Sequence, residues 1–262
     1  MPKSNTSADQ QSGNHAVMTD YSPELYAFRF PNAFVNHLWR GRVPPLIGRK
    51  VELTSAGRCG GMAFASLDFY HLGTPVPSFS TQDFAPSCVP ADGYPLADYI
   101  YCRQLHSMLT TVRGIRDGIR YLRWSGYSAT TIAATTKIEE QKVIESLDRG
   151  QPVVLGLIKA TSRRLKAQGV NHQVVCYGYR LDSSGRPEFR VYDPNDPFRE
   201  SSNDYRPGVL RRVDDDGEQS GFVYQERLSH RTDRWRGFFV VDYRPQQPDA
   251  ALISVAKGSV AR

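Results

Sequence analysis

Two hydrophobic rhythms divide the chain. Between residues 57 and 150 apolar side chains recur at intervals of three and four, and after Pro152 they alternate or run together in short blocks, which is the change from helical to strand spacing. The first helical stretch follows Gly57-Arg58-Cys59-Gly60-Gly61. Met62, Ala65, Ser66 and Phe69 fall on one face, Ala63, Leu67 and Tyr70 lie beside it, and Gly73 and Pro75 end it. Leu105, Met108, Leu109, Val112, Ile115, Ile119 and Leu122 mark a second helix that closes near Ser125-Gly126, with Gly114 and Gly118 as points where it can break. A third is predicted to start at a Thr136-x-x-Glu139 capping box, to bury Val143, Ile144 and Leu147, and to stop at Gly150. Strand-like segments follow at 153–158, 173–179, 189–193, 222–225 and 237–243. Helices first and strands second predict an α+β fold in which N-terminal helices pack on a mainly antiparallel sheet. No Gly-x-Gly-x-x-Gly or Walker pattern argues instead for a nucleotide-binding βαβ unit.

Composition alters this picture at the two ends. Residues 1–25 are rich in Ser, Asn and Gln, and 245–262 open on Pro-Gln-Gln-Pro with few large apolar groups, so both are expected to be flexible tails around one folded unit at 26–244. With 262 residues, 40% of them hydrophobic and 23% charged, the chain is long enough to bury a sizeable core. Its net charge of +6 is spread over short basic groups such as Arg163-Arg164 and Arg211-Arg212, the second followed closely by Asp214-Asp215-Asp216. That reads as a solvated face, not the basic stripe of a nucleic-acid binder, and no nucleic-acid partner is expected. With no signal-peptide pattern and no run of about 18 apolar residues, the expectation is a soluble protein, cytoplasmic by default and without a membrane partner. Export by a route that needs no such signal remains compatible with this. The four cysteines, Cys59, Cys88, Cys102 and Cys176, form no C-x-x-C pair, so neither a zinc ribbon nor a thioredoxin motif is supported, and no metal or cofactor is expected.

The candidate chemistry begins at Cys59. A thiol at a helix start has its thiolate favoured by the positive end of the helix dipole and by free backbone N–H groups, and the N–H groups of Cys59 and Gly60 can also receive an oxyanion. Gly57, Gly60 and Gly61 leave room for a carbonyl to approach. A nucleophilic thiol needs a base, and His172, at the start of the strand Asn171-His172-Gln173-Val174-Val175, is placed to project from a sheet rim. The turn signal Asp182-Ser183-Ser184-Gly185 predicts a hairpin whose register sets His172 opposite positions 193–196. Asp193 and Asn195 fall in that window, and either can orient an imidazole. A buried cysteine beside a glycine turn and a structural histidine at a strand end would account for the same residues.

The order Cys, His, then Asp or Asn resembles the papain-like cysteine peptidases, and in particular the bacterial branch that includes the double-glycine leader peptidases. The likeness rests on Gly57-Arg58-Cys59-Gly60-Gly61-Met62, on Arg149-Gly150-Gln151-Pro152-Val153-Val154, on Asn171-His172-Gln173-Val174-Val175 with Gly178-Tyr179, and on Val191-Tyr192-Asp193-Pro194. It implies a papain-like fold and a thiol hydrolase that cleaves an amide or peptide bond of a peptide or protein substrate. Cys59 would be the nucleophile, His172 the base and Asp193 the orienter, with Asn195 as the alternative orienter. A transglutaminase-like acyl transferase and an inactive binding module of the same fold share these features. The family's oxyanion-hole Gln has no counterpart in residues 51–58, which leaves Asn36, Thr54, Ser55 or backbone N–H groups as donors. Substrate contacts are expected in 76–96 and 198–236, which carry Phe79, Phe84, Tyr94, Tyr205, Arg211, Arg212, Trp235 and Arg236.

Overall fold

The computed structural model describes residues 15–42, 50–108, 112–198, 208–213, 222–226 and 232–260. The chain enters through strand β1 (Ala16–Met18) and a single helical turn, α1 (Pro23–Tyr26), and then forms the antiparallel hairpin of β2 (Val35–Arg42) and β3 (Lys50–Ala56). Helix α2 (Cys59–Leu72) follows, stopped by Gly73 in the left-handed conformation at φ 66°. It is buried nearly all round, from Gly60 to Phe69, because the sheet lies on one side and α3 (Pro95–Met108) on another. The approach to α3 is so close that a Cβ on Gly61 would stand 2.0 Å from the Ile100 carbonyl oxygen. Helices α4 (Val112–Ser125) and α5 (Ala129–Asp148) complete the helical half.

The one long helix expected through Leu105–Leu122 is therefore two. They lie close where Gly118 meets α3, since a Cβ there would be 2.8 Å from the Met108 carbonyl oxygen. The capping box expected at Thr136 is also displaced. Ser128 caps α5 by accepting from the Thr131 N–H at 3.1 Å, which puts Thr136 and Glu139 inside the helix. There Glu139 pairs with Arg120 and Lys142 and accepts from the Val240 N–H.

The strands β4 (Val153–Ile158), β5 (His172–Leu181), β6 (Pro187–Tyr192), β7 (Gly208–Val213), β8 (Phe222–Glu226), β9 (Thr232–Trp235) and β10 (Gly237–Val240) form one antiparallel sheet. Its order is β10-β4-β5-β6-β7-β8-β9, with β1 paired to β5 beyond the end of β4. The β5–β6 register, Val175 opposite Tyr192, is the one the turn signal predicts. Arg236 alone separates β9 from β10, yet these strands pair at opposite ends of the order, so the sheet must coil until its ends meet. Alternation then sorts side chains between two cores. Val154, Val175, Tyr177, Tyr192 and Phe239 pack toward α2, whereas Leu155, Val174, Cys176, Val191, Leu210, Val223, Trp235 and Phe238 fill the inside of the coil with Val143 and Leu147 of α5.

Both expected tails carry structure among their described residues. Residues 15–25, expected to be disordered, supply β1 and α1, and Tyr21 is buried with its hydroxyl 2.7 Å from Ser66 Oγ. In 245–262, expected to be flexible, helix α6 (Ala250–Val260) buries Leu252 and Ala256. Low apolar content misled in both places, because a few well-spaced anchors suffice when a finished core offers them a surface. No described helix is long and apolar enough to cross a membrane.

Candidate functional site

Cys59 is the first residue of α2 and is half-buried. The loop before it is held by Asn32, whose Oδ1 accepts from the Arg58 N–H, and Gly57 takes φ 85° with no space for a Cβ beside the Asn32 amide. Buried Arg58 anchors the same loop, donating to the Ala97 carbonyl at 2.9 Å and pairing with Asp92. At the helix start, the Gly61 N–H donates to Gln104 Oε1 at 2.8 Å. Between these occupied groups, the N–H groups of Cys59 and Gly60 have no acceptor among the described residues. They are the free, dipole-aligned donors that a helix N-terminus leaves over. The side chains of Asn36, Thr54 and Ser55, the other candidate donors, lie outside the described residues.

His172 opens β5 on the face that turns into the coil, the face of Val174 and Cys176. Its Nε2 lies 2.6 Å from Asp193 Oδ1, and both side chains are about 95% buried. With Nε2 so engaged, Nδ1 is the ring nitrogen left for Cys59, which lies close enough to act on the imidazole as a hydrogen-bond partner and by charge. Burial would lower the His172 pKa, but the Asp193 carboxylate foremost, then Cys59, outweighs it and the imidazole is pushed up to about 10. The ring is thus held as a cation beside the thiol at neutral pH.

Asn195 does not touch the imidazole. Its backbone N–H donates to Asp193 Oδ1 at 2.8 Å and its side-chain oxygen accepts from Asn32 Nδ2 at 3.0 Å. The cause is Pro194: the chain leaves β6 in a turn, closed by the Asp196 N–H on the Asp193 carbonyl, so the Asn195 side chain leaves the strand face. The orienting position falls to Asp193. Asn32 also donates its N–H to the Pro194 carbonyl at 2.9 Å, so one residue ties the Cys59 loop to the Asp193 turn.

Gln225 was not visible in the sequence, and Trp235 was expected only as a substrate contact. Gln225, fully buried on β8, donates from Nε2 to Asp193 Oδ2, and Trp235 Nε1 donates to Gln225 Oε1 at 2.9 Å. The Trp235 ring also lies nearly parallel to His172, with centroids 5.9 Å apart. No local motif marks them, because they reach the site through the coiling of the sheet. Of the other residues expected to contact substrate, Phe79, Phe84 and Tyr94 form one aromatic cluster, and Arg236 donates to the Ser125, Tyr127 and Ala160 carbonyls. Tyr205 lies outside the described residues. Among the described residues, no three His, Cys, Asp or Glu side chains are grouped as a metal site.

Comparisons with family models, with curated proteins and with solved structures return no match for this chain.

Proposed function

We propose that the protein is a thiol hydrolase of papain-like fold that cleaves an amide or peptide bond through an acyl-enzyme on Cys59. The observation that carries this reading is one imidazole with a buried carboxylate on Nε2 and, acting on the same ring, a thiol that begins a helix whose first two N–H groups have no acceptor among the described residues. The likeness of the Cys59, His172 and Asp193 segments to the papain-like peptidases supports it.

In the first half-reaction Cys59 Sγ, as thiolate, attacks the substrate carbonyl carbon. The new C–S bond pushes an electron pair onto the carbonyl oxygen, which the Cys59 and Gly60 N–H groups receive. His172 gives its Nδ1 proton to the amine nitrogen as the C–N bond breaks, leaving a thioester and neutral imidazole. In the second, His172 takes a proton from water as the water oxygen attacks the thioester, and the C–S bond breaks to release the carboxylic acid and restore the starting pair. Asp193 stabilises the imidazolium in both halves and takes no proton.

p-Nitrophenyl acetate tests this without knowledge of the natural substrate. The expected result is a burst of about one equivalent of nitrophenolate, with acetyl found on Cys59 by peptide mass spectrometry, and slow turnover that His172→Ala removes. Acetylation at other thiols with Cys59 unmodified would overturn the reading. Acetyl passing to an added amine in preference to water would replace hydrolase by transferase.

A further inference from the structure

We infer that Gln225 is a positioning residue for the proposed thiol hydrolase: it fixes the rotation of the Asp193 carboxylate, and its own orientation is fixed by Trp235. The inference rests on the proposed function for its catalytic meaning, but its structural core stands alone. An indole N–H can only donate. Trp235 Nε1, 2.9 Å from the Gln225 side chain, therefore selects Oε1 as its partner and leaves Nε2 facing Asp193 Oδ2. An amide nitrogen can only donate, so Asp193 must accept there, which it does as a carboxylate. On its other oxygen Asp193 accepts from the Asn195 N–H and from His172 Nε2. Donors on both oxygens oppose rotation about the last side-chain bond and hold Oδ1 on the imidazole.

The reason for a neutral amide follows from its surroundings. Gln225 is fully buried inside the coil, on the face it shares with Val223 and next to Trp235. A cationic donor there would carry a desolvation cost and would compete with the imidazolium for the same carboxylate. An amide supplies the donor and leaves the charge of Asp193 to His172. Trp235 adds a second constraint by stacking on the imidazole it helps to orient. The path Trp235 to Gln225 to Asp193 to His172 thus closes on itself, and displacement of any member disturbs two contacts.

The test follows the His172 Nε2 proton by NMR, where a 2.6 Å hydrogen bond to a carboxylate gives a far-downfield resonance, together with the rate of Cys59 alkylation by iodoacetamide. Gln225→Met keeps the volume and removes the donor. The downfield resonance should be lost and the Cys59 rate should fall about tenfold, the worth of one buried hydrogen bond. Gln225→Glu keeps the acceptor for Trp235 and donates to Asp193 only when it carries a proton. Its resonance should be present at low pH and vanish as the carboxyl pair loses that proton, a pH dependence that a packing role would not create. Should Gln225→Met fail to fold, the Glu variant carries the test alone. A native resonance and native rate in Gln225→Met, or a pH-independent resonance in Gln225→Glu, would overturn the inference. If the resonance behaves as expected while Cys59 shows no preferential alkylation in the native protein, the positioning role stands and the hydrolase reading fails.

Discussion

At the scale of single residues, the charge of Asp193 sets the state of His172. The imidazole, pushed from its ordinary value of 6.5 up to about 10, stabilises the fold in full below about 6.5, and that contribution is lost as pH rises toward 10, since the folded state holds the proton more tightly. Asp193→Asn removes the largest raising influence. The His172 titration, read from its ring proton resonances, should fall by more than about one unit, and the loss of stability between pH 6.5 and 10 should flatten. Asn195→Ala should leave the titration in place, because the bond from residue 195 to Asp193 comes from its backbone N–H. Cys59, His172 and Asp193 were all legible in the sequence, because each carries a short-range signal: glycines around a helix start, a strand opening, and a hairpin register counted from Asp182–Gly185. Gln225 carries none, and Trp235 is marked only as an aromatic in a segment expected to contact substrate. They lie 32 and 42 positions from Asp193 by residue number, and they come to it only because the sheet closes on itself.

At the scale of elements, α2 holds the thiol in place, and its fit against α3 depends on Gly61. Adding a methyl group 2.0 Å from the Ile100 carbonyl oxygen must push the two helices apart, since a backbone oxygen cannot rotate away. Gly61→Ala should therefore destabilise the fold by about 3 kcal/mol in denaturant titration. Gly258→Ala in α6, where a Cβ meets nothing within 4 Å, should be neutral or slightly stabilising. In the sequence Gly61 stands out as part of a helix start that leaves room for substrate approach. Its contact with α3 is hidden because the second helical pattern becomes regular only near Leu105, well past Pro95 where α3 begins. A helix interior rich in Ala, Gly and Ser is legible as close packing only when its partner is known.

On the scale of the whole molecule, long-range contacts that likewise escaped the sequence join the C-terminal segment to the core. Asp68 of α2, buried with Arg103 of α3, also accepts from the Tyr243 hydroxyl at 2.8 Å and from the Gln246 N–H at 2.8 Å, which clasps the C-terminal segment across both helices. The fold class was legible because hydrophobic period survives without knowledge of contacts, whereas β1, α1 and α6 were not, because their anchors are single residues. The distribution of thiols over this structure gives the most direct test of the central claim that His172 and the helix start activate Cys59. Cys88 and Cys102 are exposed, Cys59 is half-buried and Cys176 is buried, its thiol pushed up by that burial. Exposure alone would make Cys88 and Cys102 react fastest with iodoacetamide at neutral pH. The reverse order is expected, with Cys59 labelled first by at least about tenfold and this lead lost in His172→Ala. Cys88 or Cys102 reacting as fast as Cys59 in the native protein would contradict it.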